Sequence, residues 1–119
     1  MELMKWASFI AILIIIQACE NPEQDWVTIS PIQCMENPWE LSWLENHESD
    51  EWSNLSDEEQ LDVFKKYYLD RGVPIFATRT SFPNEGSCRA CSCPRGDQIH
   101  ALVNSSDIHQ MLDWGFSLD

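Results

Sequence analysis

The sequence predicts a small α+β domain, with two or three helices packed on a β-hairpin or small antiparallel sheet and stapled by disulfides. Three observations support this class. Helix-starting residues precede apolar residues at helical spacing, and two later segments alternate as strands do. The chain has 119 residues and five cysteines. A single domain of this size has a core of marginal size, so its stability must come partly from other sources.

The first predicted elements are a short strand and a helix. Residues 26–30 alternate enough for a strand, which the following proline ends. Asn37 is a suitable helix N-cap, Pro38 suits the first helical position, and Glu40 lies three residues after the cap. We expect this helix to extend to about His47. Its inward side chains would be Trp39, Trp43 and Leu44.

The clearest element is a second helix that begins at Ser56. Ser56 and Glu59 have the spacing of a capping box, and the acidic residues beside them suit the positive end of the helix dipole. Gly72 is a suitable end. The predicted buried stripe consists of Leu61, Phe64 and Tyr68, widened by Val63 and Tyr67.

Two strands are predicted in the second half of the chain. Residues 73–82 are rich in β-branched and aromatic side chains, but Pro74 confines them to a sheet edge or to the start of a strand. Residues 98–103 form the second strand, after a long loop that holds three cysteines. One face of that strand would carry Ile99, Ala101 and Val103, and the other His100 and Leu102.

A third helix is predicted near the carboxyl end. Asn104 and the three residues after it offer caps, and Gly115 is a suitable end. Phe116 could then fold back onto the helix. The inward residues would be Ile108, Met111 and Leu112.

The amino terminus has the pattern of a secretory signal peptide. Lys5 precedes an apolar run over residues 6–16, which is shorter than the roughly 20 apolar residues that span a bilayer. A charged start, an apolar middle and a small residue before the cut are typical of such leaders. We therefore divide the chain into a signal peptide (1–18), an acidic tether (19–25) and a folded domain (26–119).

The end of this leader, Ile16-Gln17-Ala18-Cys19, resembles the lipobox of bacterial lipoproteins. The resemblance implies cleavage before Cys19, a thioether-linked diacylglycerol on its sulfur and usually a third acyl chain on its amino group. Each buried methylene stabilises such an anchor by about 0.8 kcal/mol. The expected location is the cell envelope, lipid-anchored, at the outer membrane, its periplasmic face or the cell surface. The alternative is ordinary cleavage after Ala18, which leaves a soluble product with a free Cys19.

Charge is unevenly distributed. The net charge is −13, and residues 20–62 hold thirteen acidic residues and no Lys or Arg. Residues 63–119 hold six of each sign. This acidity argues against nucleic acid and against direct adhesion to anionic lipid. The expected partners are the membrane, through lipid on Cys19, and a protein of the envelope.

The five cysteines are Cys19, Cys34, Cys88, Cys91 and Cys93. Lipidation of Cys19 would leave four, which can pair completely, and an exported domain favours structural disulfides. Turn spacing favours a Cys88–Cys91 bridge together with Cys34–Cys93. The interlaced alternative joins Cys34 to Cys91 and Cys88 to Cys93. A bridge from Cys34 would close a loop of about 60 residues, worth roughly 4 kcal/mol.

A metal site is the second interpretation of this cluster. Cys88, Cys91 and Cys93 could bind zinc with Cys34 or His100 as the fourth ligand. The Cys-x2-Cys spacing is usual for zinc, but Cys-x-Cys crowds two ligands and a second Cys-x2-Cys pair is missing.

Thiol–disulfide exchange through Cys88 and Cys91 is the third interpretation. Arg89 and Arg95 would favour a thiolate there. Redox pairs of this spacing usually open a helix after a strand, whereas this pair lies within a loop. The sequence has no glycine-rich phosphate loop, nucleophile elbow or His-Glu-x-x-His segment, and its three histidines share no ligand spacing.

The segment from Cys88 to Phe116 carries Cys-x2-Cys-x-Cys-Pro-x-Gly and a helix that ends in Gly115-Phe116. It resembles the carboxyl end of small uncharacterised lipoproteins from diderm bacteria. The resemblance implies export and disulfides and adds no mechanism. We therefore expect a non-enzymatic accessory or binding domain on a lipid tether, with no cofactor and no catalytic residue. The alternative is a thiol-redox or zinc-binding protein that uses Cys88, Cys91 and Cys93.

Overall fold

The computed structural model describes residues 23–83 and 89–119. These residues form four α-helices and a four-stranded antiparallel sheet, which confirms the α+β prediction. None of the helices within these two ranges has the length and apolar composition needed to cross a bilayer. The elements in order are β1 (Gln24–Ile29), α1 (Pro38–Leu44), α2 (Ser49–Ser53), α3 (Asp57–Asp70), β2 (Ala77–Ser81), β3 (Gln98–Asn104), a 3-10 turn (Ser105–Asp107), α4 (Ile108–Asp113) and β4 (Ser117–Leu118).

The strands lie in the order β2-β3-β1-β4, and every neighbouring pair is antiparallel. Helices α1–α3 connect β1 to β2, and α4 connects β3 to β4. This is the connectivity of the ferredoxin-like, split β-α-β arrangement. Many unrelated functions share that frame, so the fold does not identify an activity.

The two faces of the sheet differ because successive side chains of a strand point to opposite sides. The helix-covered face carries Val27, Ala101 and Val103, all 0% exposed, and packs into the core. On the other side, Thr28 lies opposite His100, and His100 lies opposite Arg79. We call this second side the polar face.

Aromatic side chains fill the core between the sheet and the helices. The ring of Phe64 lies 4.8 Å from that of Trp39 and 5.0 Å from that of Tyr68, both edge-on. Phe116 packs edge-on against Tyr68 at 5.3 Å. Burial raises the pKa of the Tyr68 hydroxyl. The inward positions predicted for Trp39, Phe64 and Tyr68 are confirmed.

The predicted start of α3 is also confirmed. The Ser56 hydroxyl accepts a hydrogen bond from the Glu59 backbone N–H at 3.1 Å, and the Glu59 carboxylate accepts one from the Ser56 N–H at 3.2 Å. Two N–H groups that the helix itself leaves without a partner are thereby bonded. At the other end, the Gly72 φ of 93° permits the left-handed turn that follows the helix.

The amino-terminal boundaries differ from the prediction. Strand β1 begins at Gln24, so Gln24 and Asp25, assigned to the tether, pair with β3 instead. Helix α1 ends at Leu44, short of His47. The His47 ring stacks on that of Trp43 at 4.0 Å, and its Nδ1 lies 2.9 Å from the Trp43 carbonyl oxygen. His47 therefore bonds the last turn of the helix from outside it.

Two elements were missed, and one side chain was misplaced. Helix α2 has five residues and buries only Trp52, so it has no apolar repeat. Strand β4 has two residues, both exposed, and exists only through its pairing with β1. Leu112 was predicted to point inward but is 37% exposed. The shortness of α4 leaves Met111, which is fully buried, as its main contact with the core.

Candidate functional site

A disulfide joins Cys34 to Cys91, whose Cα atoms lie 5.2 Å apart across a sequence separation of 57 residues. The favoured pairing of Cys88 with Cys91 and Cys34 with Cys93 is therefore wrong. The bridge belongs to the interlaced alternative. Cys93 is disulfide-bonded as well. Cys88 and Cys19 lie outside the described residues.

A short antiparallel ladder explains why Cys34 does not meet Cys93. The Arg95 N–H donates to the Pro31 carbonyl at 2.7 Å, and the Gln33 N–H donates to the Cys93 carbonyl at 3.0 Å. This register places Gln33 opposite Cys93. Cys34 lies one residue past this pair, so it does not sit opposite Cys93 in the ladder.

The turn beyond the ladder brings Cys91 to Cys34. The Cys93 N–H donates to the Ala90 carbonyl at 2.9 Å, which closes a turn with Cys91 at its corner. Cys34 and Met35 have φ values of 67° and 55°, so the opposing chain also leaves the extended conformation here. We call residues 31–35 and 90–97 the bridged segments.

A fully buried carboxylate lies under these segments. Glu40 is 0% exposed, and its two oxygens accept hydrogen bonds from Asn37 Nδ2 and, at 3.4 Å, from Arg95 Nη1. Asn37 was predicted to cap α1, but its side chain makes no capping bond. Its Oδ1 accepts from the Ile32 N–H at 2.8 Å instead. Asn37 and Glu40 therefore hold the bridged segments against α1.

Arg95 is held on its other edge by Asp97. Its Nε and Nη2 donate to the two Asp97 oxygens at 2.8 Å and 2.9 Å, a bidentate arrangement. Burial acts to raise the pKa of Asp97, but the hydrogen bonds and charge of Arg95 outweigh it and hold that pKa below its ordinary value. The same hydrogen bonding raises the pKa of Arg95, although burial opposes it. All three guanidinium nitrogens of Arg95 are therefore bonded to carboxylates of this chain.

A cleft of about 630 Å³ opens between helices α1–α3 and the edge formed by β2, β3 and the bridged segments. This volume is within the range of small-ligand sites. The side chains and backbone that line it come from Trp39, Trp52, Asp57, Gln60, Leu61, Thr80, Phe82, Arg95, Gly96, Asp97 and Ile99.

The lining of the cleft mixes apolar and polar side chains, and Asp57 and Phe82 are exposed. Trp39, Trp52 and Ile99 are each at most 6% exposed and form its floor. Phe82 is 79% exposed at the rim.

The surroundings of the mouth are strongly negative. Asp57 lines the cleft, and no Lys or Arg occurs between residues 20 and 62. This charge favours cationic or uncharged ligands over anionic ones. The exposed carboxylates between residues 45 and 62 are Glu45, Glu48, Asp50, Glu51, Asp57, Glu58, Glu59 and Asp62.

The structure does not bring the expected zinc ligands together as thiolates. Within residues 23–83 and 89–119, no group of three or more His, Cys, Asp or Glu side chains is placed to hold a metal ion. Cys91 and Cys93 are disulfide-bonded, whereas zinc requires thiolates. His100 lies on the polar face, where both ring nitrogens are hydrogen-bonded. A zinc or redox role would require reduced sulfurs, and both stay hypotheses.

The buried cluster of Asn37, Glu40 and Arg95 was missed by sequence reasoning. Glu40 and Arg95 are 55 residues apart, so no local pattern connects them. The available signal was the position of Glu40 next to Trp39, on the side of α1 predicted to face inward.

Comparison with protein-family models, with curated proteins and with solved structures gave no match.

Proposed function

We propose that this chain is an exported lipoprotein, anchored through acyl chains on Cys19, whose folded domain binds a partner of the cell envelope in its cleft. The Cys34–Cys91 disulfide supports the export part of this proposal, because such bridges persist in oxidising compartments outside the cytoplasm. The bridge also fixes one wall of the cleft. The domain acts by binding rather than by chemistry at its cysteines.

The anchor would hold the domain close to the membrane. Only four residues separate Cys19 from Gln24, the first residue of β1. A chain of this length reaches at most about 18 Å even when fully extended, at roughly 3.6 Å per residue. With the anchor in place, the domain would lie close to the membrane surface and would meet its partner there.

Lipidation is tested by growing cells with alkyne-labelled palmitate and extracting the protein. The wild-type chain should carry the label and fractionate with membranes. Cys19→Ser should lose both properties, because it lacks the acceptor sulfur. His109→Ala is the control, since it changes an exposed residue of α4 and leaves the leader, Cys19 and the disulfide intact. Continued labelling of Cys19→Ser would overturn the anchor.

The cleft is suited to a cationic or uncharged group with an apolar or aromatic body. Its floor of Trp39, Trp52 and Ile99 provides apolar contact, and Asp57 with the nearby carboxylates provides the charge. Arg95 offers no free edge to an anion, because Asp97 and Glu40 accept hydrogen bonds from it. A basic or neutral segment with an aromatic or aliphatic side chain meets these conditions.

Cleft binding is tested by NMR, with phenethylammonium as a cationic aromatic probe and phenylacetate as its anionic counterpart. Phenethylammonium should shift the indole N–H signals of Trp39 and Trp52 at lower concentration than phenylacetate. Thr80→Arg should abolish these shifts because it fills the cleft. Ser106→Arg, at an exposed position of the 3-10 turn and outside the lining, is the control. Equal shifts in the Thr80→Arg protein would exclude the cleft.

A further inference from the structure

A row of polar side chains crosses the polar face, with members from β2, β3 and β1 and from the residue that follows β4. Arg79 and Ser81 come from β2, His100 from β3 and Thr28 from β1. Asp119 follows directly after β4. The strand order β2-β3-β1-β4 makes these positions neighbours across the sheet, although they are far apart in sequence.

Both nitrogens of the His100 ring have a partner in this row. Nδ1 lies 2.8 Å from Asp119 Oδ1, and Nε2 lies 2.7 Å from the Ser81 hydroxyl oxygen. Nδ1 also lies 2.8 Å from the Thr28 hydroxyl oxygen. When the ring carries its proton on Nδ1, that proton is donated to the carboxylate, and the lone pair on Nε2 can accept the Ser81 proton. His100 is 7% exposed, so the ring is largely shielded from water. The three groups have the relative placement of a nucleophile, a base and an orienting carboxylate.

The Asp119 carboxylate is itself held in place. The Thr28 hydroxyl donates to Oδ1 at 2.8 Å, and Arg79 Nη2 donates to Oδ2 at 2.7 Å. The hydrogen bond from Thr28, followed by the contacts with His100 and Arg79, lowers the pKa of Asp119, although burial opposes this. The Arg79 guanidinium also lies 4.9 Å from the centre of the Trp26 ring. The carboxylate is therefore ionised at neutral pH and oriented toward His100.

We propose that Ser81 and His100 are the nucleophile and general base of a hydrolytic site for small, uncharged carboxylic esters, with Asp119 as a positioning residue. Small substrates fit because Ser81 is half-buried on an edge strand of the sheet. Uncharged ones fit because the paired charges of Arg79 and Asp119 offset each other. Esters fit better than amides because their alkoxide leaving group departs more readily.

The reaction proceeds in two halves. As Ser81 Oγ forms a bond to the acyl carbon, its proton passes to His100 Nε2. The carbon–alkoxide bond then breaks, and Nε2 returns the proton to the departing alkoxide, which leaves as an alcohol. Water next attacks the acyl-serine, gives a proton to Nε2, and its oxygen bonds to the acyl carbon. The carboxylic acid departs and Ser81 regains its proton from Nε2.

This site is separate from the cleft of the proposed function. Thr80 and Phe82 line the cleft, whereas Ser81, between them, bonds to His100 on the polar face. Alternation along β2 therefore divides the two sites. Binding of phenethylammonium in the cleft should be unchanged in Ser81→Ala, so either proposal can fail without the other.

The test is hydrolysis of p-nitrophenyl acetate by the full chain extracted from membranes in mild detergent. In Ser81→Ala and in His100→Ala, the hydrolysis rate, after subtraction of the rate in buffer, should fall about 100-fold. This is the usual size of the contribution of a general base. Added imidazole should partly restore His100→Ala. Mass spectrometry should find an acetyl group on Ser81 in the wild-type protein. Ser117→Ala, which changes a serine on β4 at the opposite edge of the sheet, is the control and should match the wild-type rate.

Asp119→Asn separates a positioning role from a structural one. The variant should fold, should hydrolyse the ester more slowly, and should shift the pH–rate profile, because the amide no longer holds the proton on Nδ1. A purely structural role would lower thermal stability without moving the profile. Wild-type rates in folded Ser81→Ala, or no acetyl group on Ser81, would overturn the proposal.

Discussion

The core under the helices and the bridged segments are held together by different means. In the core, side chains such as Phe64, Val27 and Val103 are fully buried and make only apolar contacts with the sheet and helices. In the bridged segments, the disulfide from Cys34 and the hydrogen bonds around Glu40 take that role. Apolar packing is spread over many residues, whereas the bridged segments depend on a few specific bonds.

This difference determines where the molecule can carry a ligand. A close-packed core leaves no room between its side chains. The Cys34–Cys91 disulfide joins the two bridged segments, and Glu40 bonds to them through Arg95. The segments therefore do not need to pack against α2 and α3, and the cleft lies between them and these helices. Stability at the cleft should therefore depend on redox state and pH as well as on apolar packing.

The largest expected effect is in the core. Phe64→Ala should reduce the free energy of unfolding by about 4–5 kcal/mol, because it removes a fully buried ring that contacts Trp39 and Tyr68. Urea denaturation followed by circular dichroism measures this loss. Leu69→Ala on the same helix is the control, since Leu69 is 57% exposed, and it should change stability by less than about 0.5 kcal/mol. Equal losses in the two variants would contradict the core described above.

The next effect is the loss of the bridge. Replacing Cys34 and Cys91 together by serine should cost about 4 kcal/mol, because the unfolded chain regains the freedom of a loop closed across 57 residues. Urea denaturation at fixed pH measures the change. The wild-type protein in reductant should show a loss in the same direction. A double variant as stable as the oxidised protein would show that the bridge does not support the fold.

A smaller loss of stability is expected when the ion pair between Arg95 and Asp97 is removed and the Cys34–Cys91 disulfide is kept. The pKa of Asp97 is lowered in the folded protein, so this carboxylate adds stability above its unfolded pKa, and the contribution disappears as the pH falls through its folded pKa. Asp97→Asn should therefore cost about 1 kcal/mol at neutral pH, since Arg95 is partly exposed to solvent, and nothing in strong acid.

Thermal unfolding of Asp97→Asn and wild type across the acidic range measures this dependence. Asp62→Asn is the control, because the Asp62 side chain is 64% exposed and its contact with Lys65 is a surface pair. A stability difference for Asp97→Asn that persists unchanged in strong acid would contradict the ionic role.

The two regions also differ in how well the sequence predicts them. Helix α3 follows from a local capping box and from Phe64 and Tyr68 at helical spacing, and both features lie within one segment of chain. Strand β3 follows likewise from alternation between Ile99 and Val103. Such local patterns predict the structure correctly because the apolar residues that form them are buried in the core of the folded chain.

The site was far less predictable, because its contacts join distant residues. Turn spacing favoured the wrong partner for Cys91, since the ladder that excludes Cys93 from Cys34 forms only in the folded chain. The buried position of Glu40 depends on Arg95, 55 residues away. The row from Ser81 through His100 to Asp119 requires the strand order, which no local pattern encodes.

The central claim is that an oxidised bridge between Cys34 and Cys91 holds the folded domain together outside the cytoplasm. It is tested by alkylating the protein in intact envelopes before any reduction and mapping its peptides by mass spectrometry. We predict a cross-linked peptide containing Cys34 and Cys91, with neither of these cysteines alkylated. Recovery of both as alkylated thiols, with no cross-linked peptide, would contradict the claim.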